Sequence, residues 1–286
     1  MKRKDRTEFW MLLPSLILLA IISIFPLLYT IYSSFMDYTI SPDSPTFTLT
    51  KNWVHLFRSE VFWGSWGRTI VFAIGGLALE VIVGTGLALL LYQIPRKSNM
   101  FLTLLMLPLF IAPIVTGLLG RFVLNSTYGL YAWFLQTAGI DTEILGTTLT
   151  AMPAMILMDV WEWTPLILLI VMAGLQSIPD DPLEAAVIDG ATYLQKLRYI
   201  ILPLASQTIF VAALIRSMDI LRYVDAIKIT TEGGPADSTK IIGFHLLEVA
   251  FRFQDFGKAS ALGLTMILIT TLLGKGFVKL MAKGEV

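Results

Sequence analysis

Six long apolar runs, at 9–35, 69–92, 100–124, 149–176, 206–224 and 259–281, constrain this chain more than any other feature of its sequence. A helix needs roughly 20 apolar residues to cross a bilayer, and each run is about that long or longer. The first follows a basic head of Lys2, Arg3, Lys4 and Arg6. Such a head also precedes secretory signals, whose apolar region spans only about 7 to 15 residues and ends at small residues. Run 9–35 is too long for that and reads as an uncleaved anchor helix carrying Pro14 and Pro26. The expected fold is an all-α integral membrane protein, with 1–286 as a single transmembrane domain of six spans. Composition agrees: 56% of residues are hydrophobic and 15% charged, against about 25% charged in soluble chains, and mean hydropathy is +0.74. Lys+Arg and Asp+Glu number 21 each, so no net charge argues for nucleic-acid binding. The absence of cysteine excludes disulfides, thiolate metal sites and a cysteine nucleophile. Two histidines give no pattern for a metal site.

Orientation follows from where Lys and Arg fall in short loops. The head, Arg96 and Lys97, Lys196 and Arg198, and Lys275, Lys279 and Lys283 all fall on one side of a six-span chain. The opposite loops hold Asp37, Asp43, Glu60, Asp141, Glu143, Glu232 and Asp237 against fewer basic residues. Both termini are therefore expected in the cytoplasm.

Loop 177–207 is neither Gly/Ser-rich nor highly charged, so it should be structured. Ile178-Pro179-Asp180-Asp181-Pro182 reads as a turn with an acidic cap. A short helix opens there, because proline is tolerated in a first helical turn and acids favour that end. Gly190 stops it. A second amphipathic segment carries Tyr193, Leu194, Leu197, Ile200 and Ile201 to Leu202-Pro203, where the proline should bend the chain toward span five. Two short helices at an angle on the cytoplasmic face can present a compact knob to a soluble partner.

Within this loop, Glu184-Ala185-Ala186-Val187-Ile188-Asp189-Gly190-Ala191, with Leu202-Pro203 downstream, resembles the EAA loop of binding-protein-dependent ABC-importer permeases. Trp161-Glu162-Trp163-Thr164-Pro165, Asp219 to Asp225, Thr231-Glu232-Gly233-Gly234-Pro235 and Asp255 to Ala261 extend the resemblance. They are similar to the carbohydrate branch that includes the maltose and glycerol-phosphate permeases. Leu197, Gln207, Arg68 and Arg121 depart from that branch's pattern. The resemblance implies a transport subunit and not an enzyme. Two permeases, this chain and a different second one, would form the path. Two ATPases would bind ATP and magnesium and drive it, and an external binding protein would deliver the solute. Glu184, Ala185, Ala186, Asp189, Gly190 and Ala191 would form the helix that couples to an ATPase, and Gly233, Gly234 and Pro235 an outer-loop motif. Independently of the resemblance, no Gly-x-x-x-x-Gly-Lys-Ser/Thr phosphate loop is present, so the chain is not the motor.

Charges inside spans are costly and face an interior or a wet cavity. Span four holds Asp159 and Glu162; span five holds Arg216, Asp219, Arg222 and Asp225 at three-residue spacing, a polar stripe. At 1.5 Å per residue, Glu162 and Arg216 fall at a common mid-membrane level. These groups either line a solute path or pair to hold the spans together. Glu80 and Arg121 stand alone in their spans and call for partners across helices. The resemblance implies import of a sugar or related carbohydrate, with a polyol or glycerol-phosphate-type solute as the alternative within the same family; the carboxylates inside the spans also fit an ion-coupled secondary carrier using Glu80, Asp159 or Glu162.

Overall fold

The computed structural model describes residues 4–40, 45–94, 98–139 and 143–283. Lys2, Arg3, Asp43, Arg96, Lys97 and Asp141, which entered the orientation argument, lie outside the described residues, and Lys4, Arg6 and Lys283 are described in backbone only. Thirteen α-helices are described, and five of them or their continuous extensions are long and apolar enough to cross a membrane: Trp10–Ser34, Glu60–Tyr92, Thr148–Gln176, Tyr193–Ile220 and Phe256–Lys279. The chain forms two compact units, Met1–Trp63 with His245–Ile269, and Gly64–Phe244 with Thr270–Val286.

The first unit contains α1 (Lys4–Ser34), two short strands β1 (Met36–Asp37) and β2 (Thr46–Phe47), and α2 (Lys51–Arg58). It also holds α12 (Ile242–Leu247) from His245 onward, a π-helical turn at Glu248–Arg252, and the start of α13 (Phe256–Lys283). The strands pair antiparallel, Met36 with Phe47 and Asp37 with Thr46. The buried Asn52 amide donates to the carbonyls of Ser34 at 3.0 Å and Met36 at 2.8 Å, which fixes α2 on the end of α1. Gly257 is required because its α-carbon faces the Met36 carbonyl and the Asn52 amide, leaving no room for a side chain.

In the second unit α3 (Glu60–Tyr92) and α7 (Thr148–Gln176) pack closely. A Cβ added at Gly84 would lie 2.8 Å from Ile167, and one at Gly76 would lie 3.0 Å from Asp159 Oδ2. The third apolar run is not one helix. It breaks into α4 (Ser98–Leu105), a 3₁₀ turn (Leu107–Phe110) and α5 (Pro113–Val123). Pro108 and Pro113 cause this, since each lacks the amide that would continue the ladder and each fits the first turn of a new helix. A further short helix, α6 (Leu130–Thr137), follows before α7.

The loop after α7 also corrects the sequence reading. Helix α8 (Asp180–Ile188) forms as expected, but the second segment is not a separate helix set at an angle. Helix α9 (Tyr193–Lys196) passes through a π-helical turn at Leu197–Ile201 into α10 (Leu202–Ile220). Pro203 falls in the first turn of α10, where its missing amide removes nothing, and Leu202 N–H reaches back to Leu197 across the wider π turn. The fifth span is thus 193–220, not 206–224. It stops at Ile220, so Asp219 to Asp225 do not form a stripe on one helix. The chain turns at Leu221 and Arg222, and α11 (Asp225–Thr230) begins afresh. The turn lets Tyr223 bury its ring against Phe72, centroids 5.6 Å apart and nearly parallel.

Two apolar cores result. One gathers Ala88, Leu91, Ile167, Leu168, Leu175 and Ala205; the other gathers Phe72, Met155, Ile156, Ile220, Ile227 and Ile241. Glu80 on α3, and Arg216 and Asp219 on α10, lie between the stretches that feed these two cores, while Asp159 on α7 lies beside Val160 at the edge of the second.

Candidate functional site

Helix α8 is built by local rules. Pro179 precedes it, Asp180 and Asp181 sit in its first turn, and Pro182 follows within that turn. The end is a Schellman arrangement: Ala191 N–H donates to Ala186 O at 2.9 Å, and Gly190 N–H to Val187 O at 3.1 Å. Gly190 adopts φ +72°, which a side chain would strain, although nothing lies within 4 Å of where its Cβ would be. Glu184, Ala185, Asp189 and Gly190 are exposed, Ala191 half-buried, and Ala186 buried beneath the helix. Leu183 packs on the first core and seats α8. Val187 and Ile188 remain open, Ile188 at 87% exposure.

Two contacts that sequence reading missed hold the neighbouring segment. Thr192 and Gln195 form a reciprocal capping box at the start of α9, with Thr192 N–H donating to Gln195 Oε1 at 2.7 Å. The Thr-x-x-Gln spacing was the available signal. Gln93 at the end of α3 donates to the Tyr193 hydroxyl at 2.7 Å, a pairing across 100 residues that no local pattern announces.

The span charges converge on one cation. Arg216 is fully buried, with Nε 2.8 Å from Glu80 on α3, Nη2 2.5 Å from Asp159 on α7, and Nη1 3.1 Å from Asp219 one turn along α10. The face of Trp163 covers its guanidinium at 4.8 Å. Glu162 is not among its partners; the Tyr223 hydroxyl donates to Glu162 Oε2 at 3.1 Å. Arg222 is exposed and, among the described residues, pairs with Asp219 alone, at 3.4 Å. Planarity and five donors suit arginine to this role, and its forked geometry ties α3, α7 and α10 together at the level between the two cores. Arg121, by contrast, finds a carbonyl rather than an acid, donating to Ile229 O at 3.3 Å.

The outer-loop motif is a compact turn after α11. Gly233 has φ +83° and lies where a Cβ would come within 2.8 Å of the Phe244 ring. The Gly234 carbonyl accepts from the Thr239 hydroxyl at 2.8 Å, and the Pro235 carbonyl from Ser238 N–H at 2.9 Å. Arg68 donates to the Lys240 carbonyl at 2.9 Å, so the loop is anchored to α3.

Comparison with known proteins agrees with this architecture. The trehalose/maltose transport system permease protein MalF of Thermococcus litoralis is 32% identical over 273 residues, 93% of this chain and 91% of that protein. The probable starch degradation products transport system permease protein AmyD of Thermoanaerobacterium thermosulfurigenes is 28% identical over 99% of this chain and 97% of its own. A chain from the crystal structure of a bacterial alginate ABC transporter, in complex with an alginate pentasaccharide-bound periplasmic protein, shares the fold. Its TM-score is 0.82 at 23% identity, covering 96% of this chain and 94% of that one. The family described as binding-protein-dependent transport system inner membrane component matches residues 81–281. The chain therefore belongs to that family and is a multi-pass, non-enzymatic inner-membrane permease subunit of an ABC importer, working with ATPase subunits and a solute-binding protein.

Proposed function

We propose that the solute is a carbohydrate, and that residues 1–286 act as one permease domain alternating its access between the two membrane faces. The observation that carries this reading is the 32% identity, over 93% of the chain, to a trehalose/maltose permease. Membership of an importer family sets aside the ion-coupled secondary carrier. Helix α8 is the coupling element: Glu184, Ala185, Ala186, Asp189, Gly190 and Ala191 dock in a cleft of an ATPase subunit. Its exposed acids, its open Ile188 and the free space around Gly190 support that role. ATP and magnesium bind on the ATPases, and this chain carries no cofactor of its own. The second permease is a different chain, and both termini face the cytoplasm. The buried Arg216 cluster holds spans together rather than touching solute, while the Gly233-Gly234-Pro235 turn shapes the outer face.

The test is copurification from the native membrane followed by reconstitution with the recovered subunits and binding protein. ATP-dependent uptake of labelled maltose or trehalose, lost together with ATPase recovery when 184–190 is altered, supports the proposal. Preferential uptake of glycerol phosphate moves the substrate class, and recovery of two copies of this chain without a second permease overturns the heterodimer.

A further inference from the structure

Between α5, α6 and α7 lies a cleft of about 530 Å³, separate from the Arg216 cluster and walled by Leu119, Val123, Tyr131, Leu157, Met158 and Trp161. It adjoins a smaller cavity of about 250 Å³ lined by Arg121, Asn125, Ser126 and Glu143, and the two share Leu124 and Ile144 as walls. One space is almost wholly apolar and the other polar. Together they describe the outline of an amphiphile.

An apolar membrane cleft admits two occupants, a neighbouring helix or a lipid chain. The cleft follows α7 from Thr150 to Trp161, a rise of about 16 Å. A lipid brings both a chain for this cleft and a polar headgroup for the cavity that adjoins it, which matches the two linings together. Leu119, Leu157 and Trp161 are exposed, so the cleft is open to whatever lies beside it.

Charge decides the headgroup. Arg121 and Glu143 line the same cavity without forming an ion pair with each other, and among the described residues neither has an oppositely charged partner within 4.0 Å. Opposite charges held apart across one cavity complement a ligand carrying both signs. Asn125 does not compete for the ligand through its carbonyl, which accepts from Thr127 N–H at 2.8 Å and Tyr128 N–H at 3.2 Å. That turn holds the cavity rim.

We infer that this cleft binds one zwitterionic phospholipid, an acyl chain lying along Leu157 and Trp161, its phosphate on Arg121 and its ammonium group toward Glu143. Under the orientation proposed above the lipid belongs to the outer leaflet. The C-terminal end of α5 and the N-terminal end of α7 put the polar cavity at headgroup level, and the apolar cleft runs from there toward the bilayer centre.

The experiment uses the intact transporter, with its partner permease and ATPases, in nanodiscs of phosphatidylethanolamine and phosphatidylglycerol in equal amounts. Native mass spectrometry after release into mild detergent should find one phosphatidylethanolamine retained per copy of this chain. Arg121→Gln should lower that retention about tenfold, the loss of one charge-assisted hydrogen bond. A photoreactive benzophenone amino acid in place of Leu157 should cross-link to phospholipid. No retained lipid, equal retention of both lipids, or cross-linking of position 157 to the second permease each overturns the inference. The cross-link keeps the test decisive even where Arg121→Gln impairs assembly.

Discussion

The Arg216 cluster and the end of α8 are opposite kinds of polar site. At the cluster the charges are met from inside the chain: Arg216 spends its donors on Glu80, Asp159 and Asp219, and Glu162 is met by Tyr223, with Asp159 Oδ2 and Glu162 Oε1 left without a hydrogen bond among the described residues. At α8 the pattern Glu184 to Ala191 is mostly exposed, and Gly190 faces open space. Buried charges that pair across spans have a role in the fold they hold together. An ordered, exposed pattern that the fold does not need calls for a partner. The contrast implies that changes at the cluster act on stability first, and changes at α8 act on transport with stability nearly intact.

The largest effect should come from Arg216→Leu, which strands the buried carboxylates of Glu80 and Asp159. Removing one member of a buried charge set costs about 3–5 kcal/mol, so the purified transporter should lose its thermal transition or fail to assemble. Adding Glu80→Leu and Asp159→Leu should recover much of the loss, because a packed apolar replacement of a whole buried set is often neutral. Normal thermal stability of Arg216→Leu alone would break the comparison at its stronger end. Tyr223→Phe is a milder probe. It deprives Glu162 of a donor at a cost of about 1–3 kcal/mol, read as a lower melting temperature by differential scanning fluorimetry.

These sites were unequally legible in the sequence, for physical reasons. Gly190 and the acids before it act over one turn, so the end of α8 could be read from its own residues. The charge cluster joins Arg216 to Glu80 across 136 residues and to Asp159 across 57, distances at which spacing carries no information about contact. Sequence could place Glu162 and Arg216 at one depth, but not assign Glu162 to Tyr223 instead. Hydropathy overrode local signals twice. It kept the run through Pro108 and Pro113 as a single span because both halves of that run are apolar. It also favoured a stripe running through Asp219 to Asp225, where burial of Tyr223 ends the helix at Ile220. The π turn before Pro203 was invisible because a single wider turn leaves no residue pattern.

Gly190→Val sharpens the comparison from the α8 side. The left-handed conformation costs a residue with a side chain about 1–2 kcal/mol, and a β-branched one fits it poorly. The expected result is a modest fall in melting temperature, normal membrane insertion, and uptake lost with ATPase activity no longer stimulated by the loaded binding protein. Thr192→Ala separates seat from surface. Losing a helix cap costs about 1 kcal/mol, here at the start of α9 and away from the exposed face of α8. Transport should therefore fall less than in Gly190→Val, and uptake measured at matched protein levels would reveal an equal loss if α9 were itself the docking surface.

Glu184→Lys should have the smallest effect on stability and is the sharpest test. Glu184 is exposed in the middle of α8, with no hydrogen bond or ion pair among the described residues. A surface change of this kind stays within about 0.5 kcal/mol, so the melting temperature and the yield of folded protein should match the parent. If the carboxylate serves an ATPase, reversing its charge should nonetheless weaken recovery of that subunit and reduce uptake, the more so at low salt where exposed charges act further. A compensating acidic substitution on the ATPase should restore both, which no change in the intrinsic stability of this chain can do. Unchanged uptake and ATPase recovery in Glu184→Lys would leave α8 a solvated surface helix and return the search for the coupling contact to Val187 and Ile188, the apolar residues exposed beside it.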